Sequence, residues 1–385
     1  MFTIRTIMLD KRVKYISYFD THDSAIRRNY MTSAANKLKY IADCLAYIGY
    51  QVDIVSMSEV IEDKFHIYLS ETKEVQSGIT LHLPFSWGGN SRLLRRIKIF
   101  WHLIYMFLYL LFQFSSKDTV VVYHSLGYFN IIRWAKRIKK FKLILEVEEI
   151  YSDVSEMSDP WKKIEFRMFD VADAYIFSND LLDAKINKHN KPSIVIYGTY
   201  KFETIQVDKF DDGKIHVIYA GTFDPNKGGA QIAISSLEFL PENYHLHICG
   251  FGSDKDIDSI KLQIYNAQQK SKATISYDGL KKGEDFIHFL QQCHIGLSSQ
   301  QPEGAYNDTS FPSKVLTYMA NGLAVVSIKI PVLVHSTIAE SICFYDVSNG
   351  KSVAQAIMNC KCQTSAQILL GSLDKSFKEN LKSIL

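Results

Sequence analysis

The chain has 385 residues, with 44 basic and 41 acidic side chains, a formal charge of +3, and 47% hydrophobic and 13% aromatic residues. That length and apolar content fill two sizeable cores, and charge so evenly balanced argues against a nucleic-acid backbone as main partner. The cysteines Cys44, Cys249, Cys293, Cys343, Cys360 and Cys362 are scattered through apolar stretches without paired Cys-x-x-Cys clusters. This excludes a zinc framework and reads as reduced core thiols in a cytoplasmic protein. The opening MFTIRTIMLDKR lacks the long apolar region of a secretory signal, so export is not expected.

Residues 13–19 (VKYISYF) form a compact apolar strand, a helical periodicity follows over 34–47, and Gly49 stops it before the alternating strand 51–56 (QVDIVS). Strand, helix, strand is the unit of parallel sheets. Residues 99–114 (IFWHLIYMFLYLLFQF) are apolar almost throughout and follow Arg92, Arg95, Arg96 and Lys98. The run is short for a bilayer span and contains His102 and Gln113. The simpler reading is a buried helix; the other is a basic-flanked helix that leans on an anionic membrane surface through residues 92–114, the inner face of the membrane in a cytoplasmic protein. Strands at 119–123 and 142–147 flank a helix over 130–139, and a helix over 159–173 precedes strands at 174–177 and 193–197.

From 198 to 214 the pattern breaks and ends in an Asp-Asp-Gly turn. We therefore expect a first domain over 1–198, a linker over 199–214, a second domain over 215–365, and a C-terminal helical segment over 366–385 that packs back on the first. The second series alternates strands at 215–220, 245–249, 274–277, 295–298 and 324–328 with helices at 230–240, 256–269, 284–292 and from Lys314. The expected fold is α/β, two tandem Rossmann-like doubly wound domains facing across a cleft, with ligands at the carboxyl ends of the strands.

Several motifs sit at such ends. In SFPSKVLTYMANGLAVVS, residues 310–327, a Pro-Ser-Lys turn opens a helix of about three turns that Gly322 ends. Ser310, Phe311, Ser313 and Lys314 thus lie at a helix N-terminus, where free N–H groups and a lysine suit an anion. In AGTFDPNKGG, residues 220–229, Gly221 allows a tight turn and Lys227 can neutralise a phosphate. In ICGFGSD, Gly250 and Gly252 let a flat ligand approach the backbone. On the first-domain side, His124, Glu148 and Glu149 end strands and are candidates to orient or deprotonate an acceptor hydroxyl. Asp20, Arg27 and Arg28 follow the first strand and are candidates to reach a charged acceptor or the donor phosphates. For each of these the alternative is a salt-bridged or hydrogen-bonded structural residue.

The order AGTFDPNKGG, CGFGSD, YDGLKKGED, PSKVLTYMANGLAVVS closely resembles the donor-binding half of retaining glycosyltransferases of the GT-B fold, notably glycosyltransferase family 4. The match covers roughly residues 215–330. In the first half, LILEVEEIYSD resembles the acceptor-side segment of bacterial surface-polysaccharide members. The resemblance implies a nucleotide-diphosphate-sugar donor held by Gly221, Lys227 and Gly228, with Thr222 where an arginine is usual and Lys314 as a replacement cation. It implies a ribose contact at Thr317, where a glutamate is usual, a sugar contact at Glu303 or Asp308, and a base site near Gly279, Leu280 and Lys281. It further implies a glycan or lipid-linked glycan acceptor. Neither cofactor nor metal is implied, and no Asp-x-Asp is present. Two alternatives stay open: a nucleotide-sugar epimerase or phosphorylase, which would share the diphosphate site, and a non-catalytic partner subunit of the same fold, which Thr222 and Thr317 favour.

Overall fold

The computed structural model describes residues 11–21, 24–89, 91–225, 227–360 and 366–385. The opening ten residues and Cys362 lie outside them. The chain divides into two compact units: one runs to Ser178 and adds Leu182–Thr199 and Phe377–Leu385, and the other comprises Asn179–Leu181 and Tyr200–Ser376.

The first unit is built on β1 (Arg12–Ser17), β2 (Gln51–Ser56), β3 (Ile67–Tyr68), β4 (Glu71–Gln76), β5 (Ile79–Leu83), β6 (Ser86–Trp87), β7 (Thr119–Tyr123), β8 (Lys142–Val147), β9 (Ala174–Phe177) and β10 (Ser193–Val195). Eight of these form a sheet in the order β10-β9-β8-β7-β1-β2-β5-β4, while β3 and β6 make a separate antiparallel pair. Central strands such as β1 and β8 are buried along nearly their whole length, as parallel strands covered on both faces must be. Between residues 67 and 87, β5 (ITLHL) alternates and buries Ile79, Leu81 and Leu83, while β4 is an edge strand, antiparallel to β5, with Glu71 and Glu74 exposed. Charge on an edge discourages further pairing.

Three helices of this unit matter below: α1 (Thr32–Tyr47), α2 (Arg92–Gln113) and α3 (Phe129–Lys139). The reading of residues 99–114 as a buried helix is corrected. Only Lys98, His102, Met106 and Leu110 of α2 are buried, a single stripe with one member per turn. Among the described residues, no helix is long and apolar enough to cross a membrane. The C-terminal helix Ala366–Ile384 lends its last residues to this unit, with Phe377 stacked on Tyr40 at 6.2 Å between ring centres and Lys142 Nζ donating to the Leu385 carbonyl at 2.9 Å.

The second unit holds β11 (Ile215–Thr222), β12 (Tyr244–Phe251), β13 (Thr274–Gly279), β14 (Ile295–Ser298), β15 (Ala324–Ile328) and β16 (Ile342–Tyr345). All pair in parallel, in the order β13-β12-β11-β14-β15-β16. The chain winds one way from β11 to β13 and the other way from β14 to β16. The β11/β14 junction is thus a topological switch point, where loops at the carboxyl ends diverge and leave a crevice. From the amino end of β11, Asp212 bonds His216 Nε2 at 2.9 Å, His216 Nδ1 meets His247 Nε2 at 2.8 Å, and His247 Nδ1 meets Asp278, near the carboxyl end of β13, at 3.1 Å. This relay ties the incoming linker across three strands.

Candidate functional site

A cavity of about 590 Å³ opens at the switch point in the second unit. Its floor is the carboxyl ends of β11 and β12, with Gly221, Thr222, Gly250 and Phe251; its walls include Lys227, Tyr306, Lys314 and Thr317. The close approach of the two strand ends requires a glycine at 250, since a Cβ there would lie 1.9 Å from the Gly221 carbonyl oxygen. At Gly221 a Cβ would sit 3.0 Å from Lys314 Nζ, the tip of a flexible side chain, and would crowd the ammonium.

Lys314 is placed from one helical turn away. Tyr318 is buried flat over Gly296 of β14, and its hydroxyl accepts a hydrogen bond from Ala220 N at 2.9 Å. This locks the helix Lys314–Ala320 against β11 and β14, and residue 314, four earlier on the same face, points at the cavity. The helix has two turns rather than the three expected, so the anion-binding case rests on the ammonium groups more than on an accumulated dipole.

The second cation is fixed by its loop. Gly228 is left-handed at φ 61° and ends that loop, Gln301 N donates to the Lys227 carbonyl at 3.0 Å, and Ser299 Oγ donates to the Gly229 carbonyl at 2.7 Å. Each ammonium lies over an aromatic face: Lys314 Nζ is 4.3 Å from the ring centre of Tyr219, and Lys227 Nζ is 5.3 Å from that of Tyr306. Among the described residues neither is ion-paired to a carboxylate. Burial pushes the Lys314 ammonium down to a pKa of about 8, and Lys227 beside it acts in the same direction. Two ammonium groups at one cavity, Lys314 half-buried and Lys227 exposed at its rim, suit a polyanion.

Of the expected donor-site residues, Gly221, Thr222, Lys227, Gly250, Leu280, Lys281, Ser310, Phe311, Ser313, Lys314 and Thr317 line the cavity. Gly252 packs below it against Phe223 and Asp256, and Gly279 ends β13 in a left-handed turn at φ 70°. Glu303 is exposed and Asp308 half-buried, and neither lines the cavity. Thr317 faces the cavity while its hydroxyl donates to the Ser313 carbonyl at 3.2 Å. Tyr219 and Tyr306 escaped the sequence reading. Tyr219, two residues before Gly221 and on the same face of β11, carried a signal in its spacing; Tyr306, in an irregular loop, carried none.

The first-domain candidates fare differently. His124 is fully buried, stacked on Tyr151 at 4.4 Å, and burial pushes its pKa down to about 3, so it cannot serve as an accessible base. Asp20 and Arg28 are buried against each other at 3.5 Å, with Arg28 also donating to the Ser58 carbonyl at 3.0 Å. They are structural partners and not ligand groups. Arg27 is exposed, with its N–H donating to Glu62 at 2.8 Å. Glu148 is half-buried and paired with Lys37 at 2.6 Å, and Glu149 is half-buried beside it. Below them Glu146 is fully buried against the Tyr15 hydroxyl, and burial, then the nearby Glu148, raise its pKa.

No protein-family model and no curated protein sequence matches the chain. Solved structures do. An α,α-trehalose 6-phosphate synthase from Burkholderia multivorans superposes with a TM-score of 0.63 at 9% identity, covering 97% of each chain. The sucrose-phosphate synthase of Thermosynechococcus elongatus gives 0.61 at 12% identity over 97% of this chain and 94% of that one. Anabaena HepE, solved in complex with UDP, gives 0.63 at 11% identity over 97% of this chain and all of the other (100%). At such identities the likeness is one of fold, and the chain has the fold of the GT-B glycosyltransferases, α/β with parallel Rossmann-like sheets.

Proposed function

We propose that this protein is a retaining glycosyltransferase that binds a nucleotide-diphosphate sugar in the β11/β14 cavity and transfers the sugar to a glycan or lipid-linked glycan. The observation that carries the reading is the pair Lys227 and Lys314, which among the described residues form no ion pair with a carboxylate and line one cavity at the switch point. When the bond from the anomeric carbon to the diphosphate oxygen breaks, negative charge gathers on the leaving diphosphate. Preoriented ammonium groups stabilise that charge more than they stabilise the intact donor, which is how a binding site becomes catalytic. Thr222 occupies the place where an arginine is usual, and Lys314 supplies the second cation from the other side. HepE bound to UDP supports uridine nucleotides as the first donors to test. The acceptor reading rests on the resemblance of LILEVEEIYSD to surface-polysaccharide enzymes.

The test is a thermal-shift screen with UDP, GDP, ADP and TDP, followed by calorimetry. A bound diphosphate raises Tm by mass action, and Lys227→Ala and Lys314→Ala should each weaken binding by roughly 1.5–3 kcal/mol, the usual size of a charge-assisted contact. Silence across all four nucleotides, or unchanged affinity in both variants, would sink the donor-site reading. A non-catalytic partner subunit is the second reading, favoured by the Thr317 hydroxyl turning back onto its own helix. It is told apart by nucleotide binding without hydrolysis or transfer of any nucleotide sugar.

A further inference from the structure

The outward face of α2 is apolar where a solvated helix would be charged. Leu93, Ile97, Phe100, Ile104, Leu108 and Phe112 recur every three or four residues, all exposed, with Leu93 at 68%, Phe100 at 66% and Phe112 at 79%. At 1.5 Å per residue this stripe runs about 28 Å. The opposite, buried stripe contains two ionisable groups, Lys98, whose Nζ donates to the Val60 carbonyl at 2.6 Å, and His102. The usual distribution of an amphipathic helix is therefore partly inverted, and core packing on Met106 and Leu110 does not account for the six residues outside.

Charge says what covers them. Neither α2 nor α3, which packs against it, contains an acidic residue, although the chain as a whole is nearly balanced. Arg92, Arg95 and Arg96 are exposed along the first turns of α2. On α3, Trp134 and Ile138 are exposed one turn apart, with the Arg133 and Arg137 guanidinium groups 5.5 and 5.9 Å from the Trp134 ring. A second copy of the chain docked on this face across a two-fold axis would set cation against cation. An anionic bilayer offers the opposite: phosphates for the arginines, an interfacial layer for Trp134, and acyl chains for the apolar stripe. Because its other stripe is fixed in the core, α2 can lie in the interface but not cross it.

We infer that α2, with the basic turns of α3, is a docking face for an anionic lipid surface, entered to the depth of the Leu93-to-Phe112 stripe. The experiment is flotation of the full chain with vesicles of phosphatidylcholine alone and of phosphatidylcholine with 30% phosphatidylglycerol, without nucleotide, so that its outcome is independent of the donor site. Binding to the anionic vesicles and not to the neutral ones is expected. Arg95→Gln with Arg96→Gln should lower the partition coefficient about fivefold per charge, and Leu108→Ser with Phe112→Ser by tenfold or more, with the far-ultraviolet circular dichroism and Tm of each variant unchanged. Absence of binding to either vesicle overturns the inference. So does equal binding by the Ser variant, or a dimer in sedimentation that Phe112→Ser dissociates, which would make the face a self-interface.

Discussion

Lys314 gives the donor-site reading a quantitative consequence in pH. Burial and Lys227 hold its ammonium near pKa 8 in the empty protein, whereas a bound diphosphate restores the ordinary preference for the charged form. UDP binding must then take up protons: at pH 8 about half of the lysine is neutral and about 0.5 proton should enter per UDP, falling to about 0.1 at pH 7. The nucleotide contributes little, because its terminal phosphate, with a pKa near 6, is already ionised. In the same scheme Kd worsens about tenfold between pH 7 and pH 9. Calorimetry at pH 8 in two buffers of different ionisation enthalpy reads the proton number directly, and Lys314→Met should abolish it. The sign for stability follows. The unfolded chain holds this proton up to its ordinary pKa of 10.5, so the cost of burying the charge is full below pH 8 and is relieved as pH rises from 8 toward 10.5. Lys314→Met should therefore raise the Tm of the empty protein at pH 7 while removing the UDP-induced shift. A proton number of zero at pH 8 with wild-type affinity intact would refute the argument.

Three further outcomes follow from the same geometry. Tyr219→Leu removes the aromatic face 4.3 Å from Lys314 Nζ and should weaken UDP by roughly 0.5–2 kcal/mol, while Tyr219→Phe keeps it; equal Kd values for the two variants would show that the ring does not position the lysine. Gly250→Ala drives a methyl against the Gly221 carbonyl and should cost roughly 1–3 kcal/mol in denaturant unfolding along with nucleotide binding; unaltered unfolding would mean that the β11 and β12 ends are not constrained as described. Thr317→Glu places a carboxylate where the threonine faces the cavity. If the ribose lies there, UDP tightens by roughly 1.5–3 kcal/mol, and unchanged calorimetric affinity would put the ribose elsewhere.

Sequence patterning located the interior strands closely. The spans 51–56, 119–123, 142–147, 174–177, 295–298 and 324–328 coincide with β2, β7, β8, β9, β14 and β15. These strands are buried on both faces, so their apolar runs are continuous and their ends abrupt. Beyond residue 328, β16 and the helix Gly350–Asn359 were not read; β16 is an edge strand with its two middle residues half-buried. Within the site, the glycines and lysines were legible because backbone turns and phosphate binding restrict residue type at fixed offsets from a strand. His124, Asp20 and Arg28 were not, because a strand-end polar residue that faces a ligand and one that is buried against a neighbour look alike in one dimension.

What the residue order determined by itself was local: where the chain alternates and where a glycine or lysine stands relative to a strand end, since these depend on neighbours a few positions away. Tertiary structure decided which of those positions meet. Tyr318 over Gly296 brings Lys314 to Gly221 at the end of β11, and Tyr219 supplies the face beneath it, through contacts between residues about 20 to 100 positions apart. It also decided which stripe of α2 faces the core. A helix apolar on nearly every side has no preferred inward face until the groove it fills is formed, and packing chose Met106 and Leu110 for the interior and left Phe112 outside.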